Sequence, residues 1–344
     1  MCPTMSAFDA AAVETLVSAA IAAPSMHNTQ PWRFRLDPDS QTVELRAAVE
    51  RSLPHEDPHG RALHLSAGAA LFNLRVAVTH LGWGAVPRLL PDPGHPDLLA
   101  TVRVTGGAGP TGHRRDLYDA IWRRHSSRFP FTDRPISASV VLELVDAARS
   151  EGARLIAPQP HETDHLLDIT TEAERRNRQD PGRSSESRHW TSEATFRNTG
   201  PDGEGAHQGI PLEARGPQDS FESLPMRDFG ARRHQECLPS RAFEHAPALA
   251  LLATEHDRRV DWLRAGQALE HVLLVATAHR LRSSVLHQAM EWPDLRQRLR
   301  TRHSPHGQAQ MLIRLGYGPE GPATPRHPAR DLLSSDVSPV PIRC

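Results

Sequence analysis

"LHLSAGAALFNLRVAVTHLGW", residues 63–83, and "DWLRAGQALEHVLLVATAHRLRSS", residues 261–284, read as one helix written twice. Each has a polar or aromatic start, a glycine directly after an alanine (Gly68, Gly266), a Leu/Val/Ala body and a His/Leu end. The first is apolar over much of its circumference, which is the pattern of a buried helix. A likeness at this spacing predicts a duplicated unit, an ancestral homodimer fused into a single chain.

The flanking segments repeat in the same order. Residues 8–22, "FDAAAVETLVSAAIA", put Phe8, Val13, Leu16, Val17, Ala20 and Ile21 at helical spacing, and Pro24 ends the helix. "WRFRLD" and "TVELRAA" alternate as a hairpin around "PDSQ", and strands are expected at 85–90 and 99–104 after the long helix. A Gly/Pro-rich stretch, "TGGAGPTGH" (105–113), separates this unit from the helix "DLYDAIWRR", the helix through "ASVVLELVDAARSEG", the strands "ARLIA" and "PALALLAT", the second long helix and the strand "AQMLIRLGYG". The fold class is therefore α+β, with a first unit at 1–108 and a second at 109–344. Residues 175–240 are rich in Arg, Gly, Pro, Ser and Glu and poor in aliphatics, yet hold Trp190, Phe196, Ile210, Phe221, Met226 and Phe229. A segment with anchors and no core of its own is expected to be a lid laid over a site.

Composition narrows the function. The 344 residues carry 40 basic and 41 acidic side chains, a net charge of −1, so nucleic acid is not an expected partner. Every one of the cations is arginine, which removes lysine chemistry and leaves Arg, hydroxyl and backbone N–H groups to hold any phosphate. Cys2, Cys237 and Cys344 are scattered, so neither a disulfide framework nor a zinc site is indicated. Most of the 21 histidines lie in arginine-rich loops and are read as solvated, with no metal. The N-terminus lacks a basic region and a long apolar core, and no uncharged run nears the ~20 residues of a membrane helix. The expectation is a cytoplasmic protein with no membrane partner.

Two short stretches carry chemistry. "APSMHNTQPW" (23–32) offers the amides of Asn28 and Gln30 for the edge of a planar heterocycle, the Ser25 hydroxyl, the rigid Pro24 and the flat Trp32. The same residues also describe an ornate turn in which Asn and Ser cap backbone groups. "RRHSSRF" (123–129) sets Arg124, Ser126 and Arg128 as Arg-x-Ser-x-Arg, two guanidinium forks and a hydroxyl suited to a phosphate, or else a basic helix end. Together they point to a phosphorylated, planar cofactor.

Both stretches resemble the flavin-binding motifs of the nitroreductase family, and the two-unit chain resembles its Acg-like mycobacterial and actinobacterial branch. "GIP" (209–211), "RDF" (227–229), "LHQAMEWPDLRQRL" (286–299) and "LIRLGYGPEGPATPRHP" (312–328) extend the likeness over nearly the whole chain. The resemblance implies a nitroreductase-like three-layer fold, here an intrachain pseudo-dimer, with FMN as cofactor. It implies that Arg124 and Ser126 hold the FMN phosphate and ribityl chain, that Arg128 approaches the N1/O2 side of the ring, and that Arg326 closes on the phosphate. Pro24, Ser25, Met26 and Asn28 would reach the isoalloxazine from the other unit. The first half has no Arg-x-Ser-x-Arg near its start and the second no Pro-Ser-x-x-Asn-x-Gln-Pro-Trp, so one FMN site per chain is expected.

The implied activity is hydride transfer between NAD(P)H and a small nitro, quinone or enone acceptor through FMN, with room for a homodimer of pseudo-dimers. No catalytic side chain is singled out. Met26 stands where many relatives carry a second serine, and "AHRLRSS" (278–284) lacks the usual glycines. With a lid over the flavin, the alternative is a non-catalytic FMN-sequestering or flavin-storage protein.

Overall fold

The computed structural model describes residues 9–107, 114–191, 207–232, 239–299 and 307–334. α1 (Ala10–Ile21) starts at Asp9, whose carboxylate accepts from the Ala12 N–H at 2.7 Å. β1 (Trp32–Asp37) and β2 (Thr42–Ala47) form the antiparallel hairpin, α2 (Arg61–His80) is the first long helix, and β3 (Gly84–Leu89) and β4 (Leu98–Thr105) complete a sheet of order β1-β2-β4-β3.

After α3 (Arg114–Arg123), α4 (Ala138–Ser150) and β5 (Arg154–Ile156), the chain makes two helices absent from the sequence reading, α5 (Pro160–Gln179) and α6 (Pro181–His189). The two-residue strands β6 (Gln218–Asp219) and β7 (Ser240–Arg241) then pair in parallel. β8 (Ala248–Thr254), α7 (Arg259–Ala278), β9 (Arg282–Leu286), α8 (Pro293–Arg298) and β10 (Gln308–Gly316) follow, and α9 (Ala329–Leu332) is last. The second sheet runs β5-β8-β10-β9, the order of the first with each strand replaced by its counterpart. All its neighbours are antiparallel, as in the first.

The long helices cross where their glycines meet. A Cβ on Gly68 would stand 2.2 Å from the Leu263 carbonyl oxygen, and one on Gly266 would stand 2.0 Å from that of Leu65. The two positions exchange roles across the crossing, and because backbone blocks both, any side chain would force α2 and α7 apart. α2 is long and apolar enough to cross a membrane by length and composition, but 83% of its apolar window is buried in the chain, as suits a core helix.

β8 explains its unbroken apolar sequence by being covered on both faces. Ala250 and Leu252 join α4 and α7, while Leu249, Leu251 and Ala253 join α5. At the far edge of the first sheet, Leu333 bridges Phe34 in parallel, and the Ser334 N–H donates to the Phe34 carbonyl at 2.8 Å. The last described residues are thus fastened to the first sheet.

The expected lid differs from its reading in kind. Residues 175–179 finish α5 and 181–189 form α6, so its start is helical; the apolar stripe of α5 is narrow (Leu166, Ile169, Ala173) and the rest of that helix is polar. Trp190, Ile210, Met226 and Phe229 are buried as anchors should be, but Phe221 is 69% exposed and anchors nothing. Phe196 lies outside the described residues.

Candidate functional site

Between α1 and β1 the chain turns through residues 23–31, and three non-glycine residues there adopt left-handed backbone: His27 (φ 50°), Asn28 (φ 56°) and Gln30 (φ 49°). His and Asn tolerate this region better than most residues, yet three in four positions store strain that the surroundings must hold. They do so through side chains. Asn28 Nδ2 donates to the carbonyls of Gly209 (3.0 Å) and Pro325 (2.8 Å), and its Oδ1 accepts from Arg326 at 2.8 Å. Gln30 donates to the His207 carbonyl at 2.5 Å and accepts from the His327 N–H at 3.0 Å, and Ser25 Oγ accepts from the Gln30 N–H at 2.9 Å. The Gln30 amide and the Asn28 Nδ2 therefore serve backbone, the Asn28 Oδ1 holds the Arg326 guanidinium, and Trp32 is fully buried in the core. The turn reading describes these three side chains better, because strained backbone needs fixed partners.

The Arg-x-Ser-x-Arg stretch leaves α3 and runs beside β9, with Ser126 bridging Ser283 in parallel and the Ser127 N–H donating to the Ser283 carbonyl at 2.8 Å. Gly321 lets this backbone in, since a Cβ there would stand 2.0 Å from the Ser126 carbonyl oxygen. The two motifs meet at a pair of adjoining cavities that share Pro24, Ser25, Ser126 and Arg128. The larger encloses about 860 Å³ including its mouth; Met26, Leu65 and Ser66 of α2, Leu269 of α7 and residues 284–288 line it. The smaller, about 470 Å³, is lined by Asn28, Arg124 and Arg326. All eight residues expected at the site lie on one cavity or both.

The smaller cavity is cationic. Arg124 donates to the Ala22 carbonyl at 3.0 Å, while its buried Nε has no hydrogen-bond partner and sits 3.4 Å from Glu270 Oε1. Arg326 spends its donors on the carbonyls of Ile21, Ala22 and Ala23. Burial, then the nearby Arg124, lowers its pKa to about 9. Arg128 is lowered to about 9 by burial and by Arg227, and lies 4.4 Å over the Phe229 ring. Of these three guanidiniums Arg124 and Arg326 share Glu270, and Arg128 has no carboxylate partner among the described residues, so an anion is the missing charge.

That carboxylate, Glu270, is fully buried in α7, beside Asn73 and 3.4 Å from Arg124 Nε. Burial raises its pKa from 4.5 to about 6 despite Arg124. A raised carboxyl contributes stability that is complete below its unfolded value and is lost as pH rises through the folded one. Between about pH 3.5 and about pH 7, the range that brackets 4.5 and about 6, the natural FMN-free protein should lose about 2 kcal/mol relative to Glu270→Gln, because a tenfold change in a protonation equilibrium is worth ~1.4 kcal/mol. Urea unfolding across that range measures it, and parallel curves would show that Glu270 does not titrate there.

Sequence reasoning missed the wall opposite Arg128. His27 bonds closely to Glu56 through Nε2; Glu56 pairs with Arg227 at 3.0 Å, and Arg227 with Glu291 at 2.5 Å. Glu291 also holds Arg183 and His287, each at 3.1 Å, and His287 Nε2 accepts from Arg61 at 3.0 Å. Apart from His27 inside the decamer, only the "RDF" stretch and the "LHQAMEWPDLRQRL" stretch marked any of these residues, and nothing in the spacing of single charges shows that they meet.

Known proteins match the sequence of this chain along most of its length. The Nitroreductase family profile matches residues 121–317. A Mycobacterium tuberculosis H37Rv protein provisionally named an NAD(P)H nitroreductase is 32% identical over 326 residues, covering 92% of this chain and 90% of its own. The protein of the same species provisionally named NAD(P)H nitroreductase acg is 28% identical over 325 residues, covering 93% and 95%. Among solved structures, a nitroreductase with bound FMN from Desulfitobacterium hafniense DCB-2 overlays 66% of this chain and 98% of its own, with 13% identity and a TM-score of 0.38. With more than half of its length matched by the family profile, and a relative above 30% identity along nearly all of it, the chain belongs to the nitroreductase family.

Proposed function

We propose that this chain is an FMN-dependent oxidoreductase that moves hydride from NAD(P)H to a small nitro, quinone or enone acceptor. The observation that carries the reading is the junction of the two cavities. An apolar chamber opens into a cationic one lined by Arg124, Arg128 and Arg326, which fits a flat ring system with an anionic tail. FMN supplies the hydride chemistry when bound. Arg124, Arg326 and Ser126 would hold its phosphate and ribityl chain. Pro24, Ser25 and Met26 would bound the ring, and Asn28 would keep Arg326 in place. Arg128, charged and without a carboxylate partner among the described residues, would stabilise negative charge at the ring edge.

Residues 1–108 and 109–344 form the two units of an intrachain pseudo-dimer in this proposal, supported by the matched sheet orders and the reciprocal glycine crossing. Because each unit supplies one motif, the holoprotein should carry one FMN per chain. Mixed anaerobically with NADPH in a stopped-flow instrument, its flavin should bleach rapidly.

A second reading, FMN sequestration, is favoured by the strap at 207–232, which places Met226, Arg227 and Phe229 on the larger cavity. A flavin that bleaches with dithionite but not with NADPH or NADH would support that reading and sink the first.

A further inference from the structure

Reduction of an enone or quinone requires a proton as well as a hydride, and the described wall of the larger cavity offers two histidines for that task. His287 is committed on both nitrogens, Nδ1 to Glu291 and Nε2 to Arg61. His27 is committed on one: Nε2 is bound to Glu56, while Nδ1 has no hydrogen-bond partner among the described residues and the ring borders the cavity. The ring is 4% exposed, wedged edge-on to Phe229 with centroids 5.9 Å apart. It stands on a left-handed residue held in place by the side-chain contacts of Asn28 and Gln30 that follow it. Glu56 is itself positioned, by Arg227 and by the Glu186 carboxylate accepting its N–H at 2.8 Å.

We propose that His27 is the proton donor to the acceptor, a catalytic residue whose ring is oriented by Glu56. This rests on the oxidoreductase reading above and deepens it by selecting acceptors whose oxygen must be protonated. With an enone, the β carbon would receive the hydride that bound, reduced FMN supplies, and the C=C pair would shift toward the carbonyl. The resulting enolate oxygen takes the proton from His27 Nδ1–H. The enol tautomerises, and water returns a proton to the neutral imidazole. One hydride and one proton are thus added across the double bond, and FMN is left oxidised. Glu56 keeps the Nε2 proton engaged throughout, so the proton that leaves is the one on Nδ1.

The test uses FMN-loaded full-length protein, reduced with dithionite and mixed anaerobically with either 2-cyclohexenone or ferricyanide, an electron acceptor that takes no proton. His27→Asn is the variant, because asparagine accepts the left-handed backbone and cannot act as an acid near neutral pH. The ratio of enone to ferricyanide oxidation rates should fall about 100-fold. Glu56→Gln, which acts through His27, should lower the same ratio in the same direction. Independently of turnover, 15N-histidine spectra of the FMN-free and loaded protein should show one imidazole, lost in His27→Asn, that keeps Nε2–H while Nδ1 takes and releases a proton. A ratio unchanged in His27→Asn, or an imidazole that never protonates Nδ1, overturns the role of His27 alone. A wild-type chain that binds no FMN, or whose reduced flavin reacts with neither acceptor, overturns both this proposal and the function beneath it.

Discussion

Arg124→Ala is expected to purify without yellow colour and to bind added FMN at least tenfold more weakly than the natural chain, measured by quenching of flavin fluorescence. The guanidinium sits at the end of α3, nearly fully buried, and lines the cationic cavity that would receive the phosphate. A charge-assisted hydrogen bond contributes about 1.5–3 kcal/mol, and each ~1.4 kcal/mol is a factor of ten in affinity. The fold should survive the change. Glu270, left without Arg124, is already raised to about 6 by burial, and losing the cation moves it further in the same direction, so it takes up a proton and avoids a bare buried charge. Arg128→Ala is the control, because it leaves the phosphate end intact and removes a charge only at the ring. Equal FMN affinity for Arg124→Ala and the natural protein would refute the assignment of this cavity to the phosphate.

The parts of the molecule that were legible in its sequence are those whose pattern is local. The hairpin over 32–47 announces itself by alternation around a turn, and the two long helices by their apolar circumference and matched glycines. The reciprocal contact of Gly68 and Gly266 gives that likeness a physical cause, since each helix needs its glycine only because the other is there. α5 was hidden because its buried stripe is narrow beside many charged residues, and α6 because it carries no apolar stripe. β9 was hidden because "RSSVL" is short and half polar.

At the site, the eight expected residues come together, but the amides of Asn28 and Gln30 are engaged with backbone and with Arg326, and the decamer's own His27 was passed over. Its significance depends on Glu56, which depends on Arg227 far along the chain. Contacts of that kind are set by the tertiary fold and leave no periodic trace.

Arg227→Ala is expected to cost the folded protein about 3–5 kcal/mol at pH 7, the usual consequence of removing one partner from a buried ion pair. Arg227 lies between Glu56 and Glu291, both of whose side chains are wholly buried. Burial raises the Glu291 carboxyl, but Arg227 and then His287 outweigh it and hold the group well below its ordinary 4.5. A depressed carboxylate contributes stability that is present above its unfolded value and lost as pH falls through the folded one. In the variant most of that contribution is gone, so the deficit relative to the natural chain should be greatest above pH ~5 and should narrow as pH falls below 4.5. Urea unfolding of both proteins from about pH 3.5 to about pH 7.5, which brackets the ordinary carboxylate value, measures it. A deficit that does not change with pH would assign the loss to packing, and a deficit under about 1 kcal/mol would show that the three charges are not coupled. The strap that bears Arg227 also covers the larger cavity, so loosening it has a second expected effect. At a pH where the variant remains folded, NADPH should bleach its flavin faster than it bleaches that of the natural chain. A destabilised strap with unchanged bleaching would mean that access to the cavity is limited elsewhere, and the covered-site reading would lose its mechanism.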